Sequence, residues 1–249
     1  MCLLAILFRA VHDAPVVIGA NREESYARGG TEPDVRRGPV PFIAGLDPLA
    51  GGTWLGVNAR GVVAAVTNRP RRFPPESPRS RGLLVRDLLA AGSAKEALEM
   101  ATRELTAAAY AGCNLLVADA RDACVVHAGD WLRVALLPPG AHVLTNGDVN
   151  QTSDPRVRFA LDRLRPRRFE DAEDAVATLR RICAHSGPPA PICLHGPESG
   201  TVSSTLIALR EPPAAGLLYH ANGPPDRTPY QDRSDLFRKL AQAARPGGE

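Results

Sequence analysis

The chain has 249 residues, a formal net charge of +3, 44% hydrophobic and 23% charged residues. That is the make-up of a soluble globule with apolar content for a sizeable core. The weak charge, with no long Lys/Arg run, argues against a nucleic-acid partner. No apolar run reaches the roughly 18 residues of a membrane span. The apolar start "MCLLAILF" lacks the preceding basic residue and following cleavage site of a signal peptide. The five cysteines, Cys2, Cys113, Cys124, Cys183 and Cys193, are odd in number and form no C-x-x-C. A disulfide framework is therefore not expected, and a reducing, cytoplasmic location is.

In chain order, Cys2–Phe8 and Val16–Ala20 read as strands joined by a tight connection at Val11–Pro15. Residues 21–40 are polar and rich in Gly, Pro and Arg, which predicts a long surface loop. Thr53–Asn58 and Val62–Thr67 predict a hairpin that turns at Gly61. After a proline-rich loop come two helices, the second opened by the capping-box pair Ser93 and Glu96. Leu115–Asp119, Ala123–His127, Trp131–Leu136 and His142–Thr145 read as short strands. Asp154–Pro155 predicts a helix start, and a helix with Glu170 and Asp171 early and Arg180 and Arg181 late follows. Strands near 203–210 and 216–221 and a helix from about 231 complete the chain. Grouped strands alternating with grouped helices predict an α+β layered fold in one domain spanning residues 1–249. Neither GxGxxG after a strand nor GxxxxGK[ST] occurs, which argues against nucleotide binding through those motifs.

Position 2 carries the sharpest chemical signal. Removal of Met1 requires a small second residue, and cysteine qualifies. A free α-amine titrates near about 7.7–8.0, so one residue would then hold a thiol nucleophile and the base that activates it. The competing reading is a small buried hydrophobe on a core strand.

The stretches "GANREESYARGGTEP", "GGTWLGVNARGVVAAVTNRP", "HVLTNGD" and "TVSSTLIAL" decide between them. Together with the Met-Cys start they resemble the NRDE family, also called the transport-and-Golgi-organisation family, across most of the chain. That family is in turn similar to the N-terminal-nucleophile (Ntn) hydrolases of the choloylglycine hydrolase and penicillin acylase branch. The resemblance implies a four-layer αββα fold and hydrolysis of an amide or thioester acyl bond. Cys2 matches the nucleophile. Glu23, with Glu24 beside it, matches the acid that orients the N-terminal amine, where the family usually has aspartate. Arg22 is the nearest match to a preceding arginine, although the hydrolase register would place that arginine at Ala20. Asn68 and Asn146 each end an apolar strand in Thr-Asn and match oxyanion donors. Ser203, Ser204 and Thr205 match a strand facing the site, and Arg210 comes later than the arginine that follows it in relatives.

No cofactor is expected. Cys193 and His195 stand two apart, but no second pair has zinc spacing, so no metal site is expected either. His127, His142 and His220 read as hydrogen-bonded strand residues. The arginines 156, 158, 163, 165, 167 and 168 read as a solvated helix face or an anion site. The expected partner is a small acyl or amide substrate. The alternative is a non-catalytic binding or trafficking protein that holds haem or an acyl or lipid-type ligand at the same place.

Overall fold

The structure, a computed structural model, describes residues 2–245. The expected removal of Met1 falls on a residue outside this range. The chain runs β1 (Leu3–Val11), β2 (Ala14–Ser25), β3 (Asp34–Arg36), β4 (Phe42–Ala44), β5 (Leu55–Asn58) and β6 (Val63–Asn68). The helices α1 (Arg81–Leu88) and α2 (Ala94–Ala107) follow, then β7 (Cys113–Ala118), β8 (Ala123–Ala128), β9 (Leu132–Leu136) and β10 (Gly140–Leu144). Next come α3 (Pro155–Leu164), α4 (Ala172–Cys183), β11 (Ser199–Leu209), β12 (Leu217–Ala221), β13 (Gln231–Asp232) and α5 (Asp235–Ala243). No helix among the described residues is long and apolar enough to cross a membrane.

The chain divides into two compact units. The first holds residues up to Arg28 together with Pro138–Asp235. Its antiparallel sheet has the order β10-β1-β2-β11-β12-β13. Strand alternation sends Leu3, Ala5 and Leu7 of β1 to one face, where they pack with Val157 and Leu161 of α3 and Leu179 of α4. The second unit holds Gly29–Leu137 and the residues from Leu236 on. Its sheet has the order β3-β4-β5-β6-β7-β8-β9. Ala64, Leu115 and Val117 of that sheet pack with Leu84 and Leu88 of α1 and Ala97 and Ala101 of α2. Each unit is thus a sheet with a helical layer on one face, as the grouped elements predict.

Local signals explain most boundaries. The β5–β6 hairpin turns at Gly61, whose φ of +77° suits glycine. The Ser93 hydroxyl caps α2 by accepting from the Glu96 N–H at 3.1 Å. Asp154 caps α3 by accepting from the Arg156 N–H at 2.8 Å, with Pro155 in the first turn. The predicted loop over residues 21–40 needs correction. Its first five residues, Asn21–Ser25, continue β2, and Asp34–Arg36 forms β3. Asn, Arg and Glu have weak strand preference, so local pattern points to a loop. Pairing of β2 with β11, which lies far along the chain, overrides it.

Candidate active site at the start of the first strand

The thiol of Cys2 sits where β1 begins. Leu3 pairs with Asn21, which sets Cys2 alongside the next residues of β2. The Glu23 N–H donates to Cys2 Sγ at 3.5 Å, and the Glu23 carbonyl lies 3.9 Å from the same sulfur. Burial pushes the thiol above its ordinary pKa, against an opposing effect from the Glu23 backbone. On the other side of β1, Leu4 pairs with Leu144, which brings the Thr145–Asn146 corner to the same end of the sheet.

Alternation along β2 sorts the acidic box by face. Asn21 donates from Nδ2 to the carbonyls of Cys183 (2.9 Å) and Ile192 (3.2 Å), and Glu23 pairs with Arg156 of α3. These two residues therefore belong to the helix-covered face, and Arg22 between them belongs to the other face. All three are buried. The box is therefore strand, not a solvated turn with an Arg–Glu pair at the surface. Glu24 does stay near the surface. Its carboxylate accepts from the Ser25 N–H at 3.0 Å and lies 3.9 Å from Arg28. Of the two glutamates, Glu23 is the one seated against Cys2, through its backbone.

Arg156, which in sequence reads only as one of six arginines on a solvated helix face or anion site, belongs to this site. Its guanidinium clamps the Glu23 carboxylate, with Nη1 at 3.4 Å from Oε2 and Nη2 in close contact with Oε1. Nη2 also reaches the Ile192 carbonyl at 3.4 Å. Burial pushes the Glu23 carboxyl up, and the charge of Arg156 works against that shift. The capping carboxylate of Asp154 also accepts from the Thr145 hydroxyl at 2.8 Å. One helix start thus ties down both the β2 acid and the corner that carries Asn146. The available signal was electrostatic: a cation in the first turn of a helix opposes the helix dipole and calls for an anionic partner.

Four of the six arginines have separate partners, Arg156 among them. Arg158 donates to the Thr152 carbonyl, Arg163 stacks on Phe159 at 3.4 Å, and Arg167 pairs with Asp174. Arg210 pairs with Asp13 and Glu173. On β11, the Ser204 hydroxyl meets Tyr230 at 2.6 Å and Thr205 meets His220 at 3.0 Å. Asn68 ends β6 in the second unit and is exposed. A cavity of about 330 Å³ in the first unit is lined by Leu7, Ala10, His142, Arg165, Arg167 and Phe169; it includes two of the six arginines but none of the residues matched to the Ntn site.

The histidines are hydrogen-bonded as expected. His127 Nδ1 lies 2.7 Å from Asn114 Oδ1. His142 donates from Nε2 to the Pro138 carbonyl at 2.8 Å, while its Nδ1 accepts from Asn150 Nδ2 at 2.9 Å. That geometry requires a neutral ring, and burial, with a smaller contribution from Arg165, lowers the His142 pKa. The unfolded chain binds this proton near about pH 6.5 and the folded chain does not. The ring's stabilising effect is therefore full above that pH and is lost as pH falls towards the folded pKa. Wild-type protein is expected to lose urea resistance between about pH 7.5 and about pH 5. His142→Gln should show a smaller loss, and an equal loss in both proteins would refute the assignment.

All five cysteines are free thiols, and Cys2 alone is partly exposed. Burial pushes Cys113 up to about 11 and Cys124 and Cys183 up to about 12, values of unreactive thiols.

Comparison with solved structures defines the class first. The fold is that of the Ntn hydrolases. Penicillin V acylase from Agrobacterium tumefaciens superposes with a TM-score of 0.60 at 15% identity, over 94% of this chain and 88% of that one. The Caenorhabditis elegans orthologue of N-acylethanolamine-hydrolyzing acid amidase gives 0.57 at 17% identity, over 83% and 92%. Sequence then settles the family: Transport and Golgi organisation 2 matches residues 1–186, and the chain belongs to it. The Transport and Golgi organization 2 homologue of Mus musculus is 36% identical over 110 residues, and that of Bos taurus 34% over 109. Each alignment spans 42% of this chain and 38% of the relative, well under two thirds of the relative's length.

Proposed function

We propose that this protein is an N-terminal-cysteine hydrolase of acyl amides or thioesters. The observation that supports the reading best is the seat of Cys2. Cys2 is the one cysteine of the five that is not a fully buried residue, at the end of a strand in an Ntn-hydrolase fold, with its sulfur against the Glu23 N–H. Once Met1 is removed, the freed α-amine takes the proton of the Cys2 thiol, which burial keeps protonated near neutral pH. The sulfur attacks the substrate carbonyl, and the carbonyl electron pair moves to oxygen. The side-chain amide of Asn146 stabilises that oxyanion. The intermediate collapses, the ammonium protonates the leaving amine or thiol, and a thioester to Cys2 remains. Water, deprotonated by the same amine, then releases the acid. Arg22 favours the thiolate by its charge, and Glu23, held by Arg156, anchors the strand beneath the amine. Glu24 receives no role in this scheme, since its contacts lie with Ser25 and Arg28. The five free thiols fit action in the reducing cytoplasm.

The second reading is binding without turnover, of haem or an acyl or lipid-type anion at the same face. The transport named in the relatives' descriptions supports it. Incubation with a p-nitrophenyl acyl ester, followed by intact-mass spectrometry, separates the two. The hydrolase reading expects a chain lacking Met1 with one acyl group on Cys2, and no such adduct in Cys2→Ala. Retention of Met1, or equal labelling of Cys2→Ala, overturns it. A Soret band in purified protein that carries no acyl adduct supports the binding reading.

A further inference from the structure

Three residues outside the candidate active site form a cluster that chain spacing does not reveal. Cys193, in a bend, and His195, in an isolated bridge, lie on the irregular segment after α4. The segment is held by the Thr201 N–H donating to the Leu194 carbonyl at 2.8 Å and by a bridge between His195 and Gly200. Asp226, 31 residues beyond His195, comes from the turn between β12 and β13. The turn is closed by the Arg227 and Thr228 N–H groups, which donate to the Pro224 carbonyl at 3.0 and 2.8 Å.

The three side chains converge. Cys193 Sγ lies 3.2 Å from Asp226 Oδ1 and 3.8 Å from His195 Nε2, and His195 Nε2 lies 2.8 Å from Asp226 Oδ2. One ligand atom from each falls within 4.8 Å of the others. Around a tetrahedral zinc ion with ordinary bond lengths, such atoms are separated by about 3.4–3.6 Å. One Asp226 oxygen does not make both short contacts, and the set, within 4.8 Å, closes on an ion through side-chain shifts of up to about 1 Å. Its chemistry also fits: a thiolate, an imidazole and a carboxylate form a donor set for a borderline-soft ion. Cys193 is buried, Asp226 is intermediate and His195 is exposed, so the set is open on its solvent side.

We propose that Cys193, His195 and Asp226 form a zinc-class divalent metal site, with the fourth position left to water or a ligand. The unbound cluster is a proton-filled version of the same site. Burial pushes the Cys193 thiol up to about 11, so it enters as a thiol and must lose its proton to bind the ion. Burial also pushes the Asp226 carboxyl up, but hydrogen bonds from His195, Cys193 and Ser186 outweigh it and hold the carboxyl below its usual range. It is thus already ionised. The imidazole binds through Nε2 in its neutral form with its hydrogen on Nδ1. Ion binding releases the Cys193 thiol proton to solvent and requires the hydrogen that His195 Nε2 shares with Asp226 to leave that nitrogen. Arg227 lies 4.0 Å from Asp226 Oδ2, and its side chain is 73% exposed, so it can move off without cost in buried contacts.

Cobalt(II) titration of the chelator-treated full chain tests the proposal. The wild type is expected to bind about one equivalent with a near-ultraviolet thiolate-to-cobalt charge-transfer band and the intense visible bands of a four-coordinate ion. Cys193→Ser should lose the charge-transfer band, and His195→Gln and Asp226→Asn should each weaken binding at least about tenfold. Cys2→Ala should keep the full spectrum. Zinc should raise the melting temperature of the wild type and of Cys2→Ala but not of the three cluster variants, which separates lost binding from lost folding. No charge-transfer band in the wild type, or a band that persists in Cys193→Ser, overturns the proposal.

Discussion

Arg156→Met is expected to lower the unfolding free energy by about 3–5 kcal/mol, read as a drop in the urea midpoint. The substitution takes the Arg156 guanidinium away from the Glu23 carboxylate on the helix-covered face, and Glu23 is only 5% exposed. Removing one partner of a buried pair costs far more than the pair contributes, because the remaining charge has lost both water and counter-charge. The double variant Glu23→Leu with Arg156→Met removes both charges and should recover most of the loss. The pair is also not fully satisfied, since Arg156 Nε is buried without a hydrogen-bond partner, which favours the apolar replacement further. Arg156→Met should in addition slow acylation of Cys2, because the Glu23 backbone seats the sulfur. A midpoint unchanged from wild type in Arg156→Met would show that the guanidinium does not hold Glu23 in solution.

Gly52→Ala is expected to cost about 3 kcal/mol or more, at or above the usual range for overpacking. A Cβ at position 52 would lie 2.2 Å from the Gly82 carbonyl carbon and 2.5 Å from the Leu83 nitrogen. Both are backbone atoms at the start of α1, so no side chain can rotate away. The approach is fixed by the Thr53 N–H donating to the Gly82 carbonyl at 2.9 Å. Gly56→Ala should be milder: its Cβ would meet Leu89 Cδ1 at 2.6 Å, the movable end of a side chain, although the Ile43 carbonyl lies at 3.0 Å. Melting temperatures of the two variants check the order. If Gly52→Ala melts with the wild type, the helix does not approach the segment before β5 this closely. Gly52 and Gly56 of "GGTWLG" are thus explained by close packing, and Gly51 by its φ of +67°.

Much of the fold was legible because its signals are local. The hairpin turn at Gly61, the caps at Ser93 and Asp154 and the apolar stripes of α2, α3 and α4 each depend on residues within a few positions of one another. The site was legible in part. Cys2 and the "NREE" box stood out by resemblance, but their arrangement did not. Period-2 alternation separates Arg22 from Glu23, yet it operates only if residues 21–25 are strand, and strand pairing with β11 decides that.

By itself, then, the sequence determined the α+β class and most of the succession of elements, though not β3, β4 or β13, from short-range periodicity, caps and turns. Cys2 stood out by its position and the family resemblance. The tertiary structure alone decided that Arg156 holds Glu23, that the arginines of α3 part company, and that Asp226 joins Cys193 and His195. Such pairings link residues separated by 133 and 31 positions. Their energy comes from shedding water in a shared buried environment, and only the folded chain creates that environment.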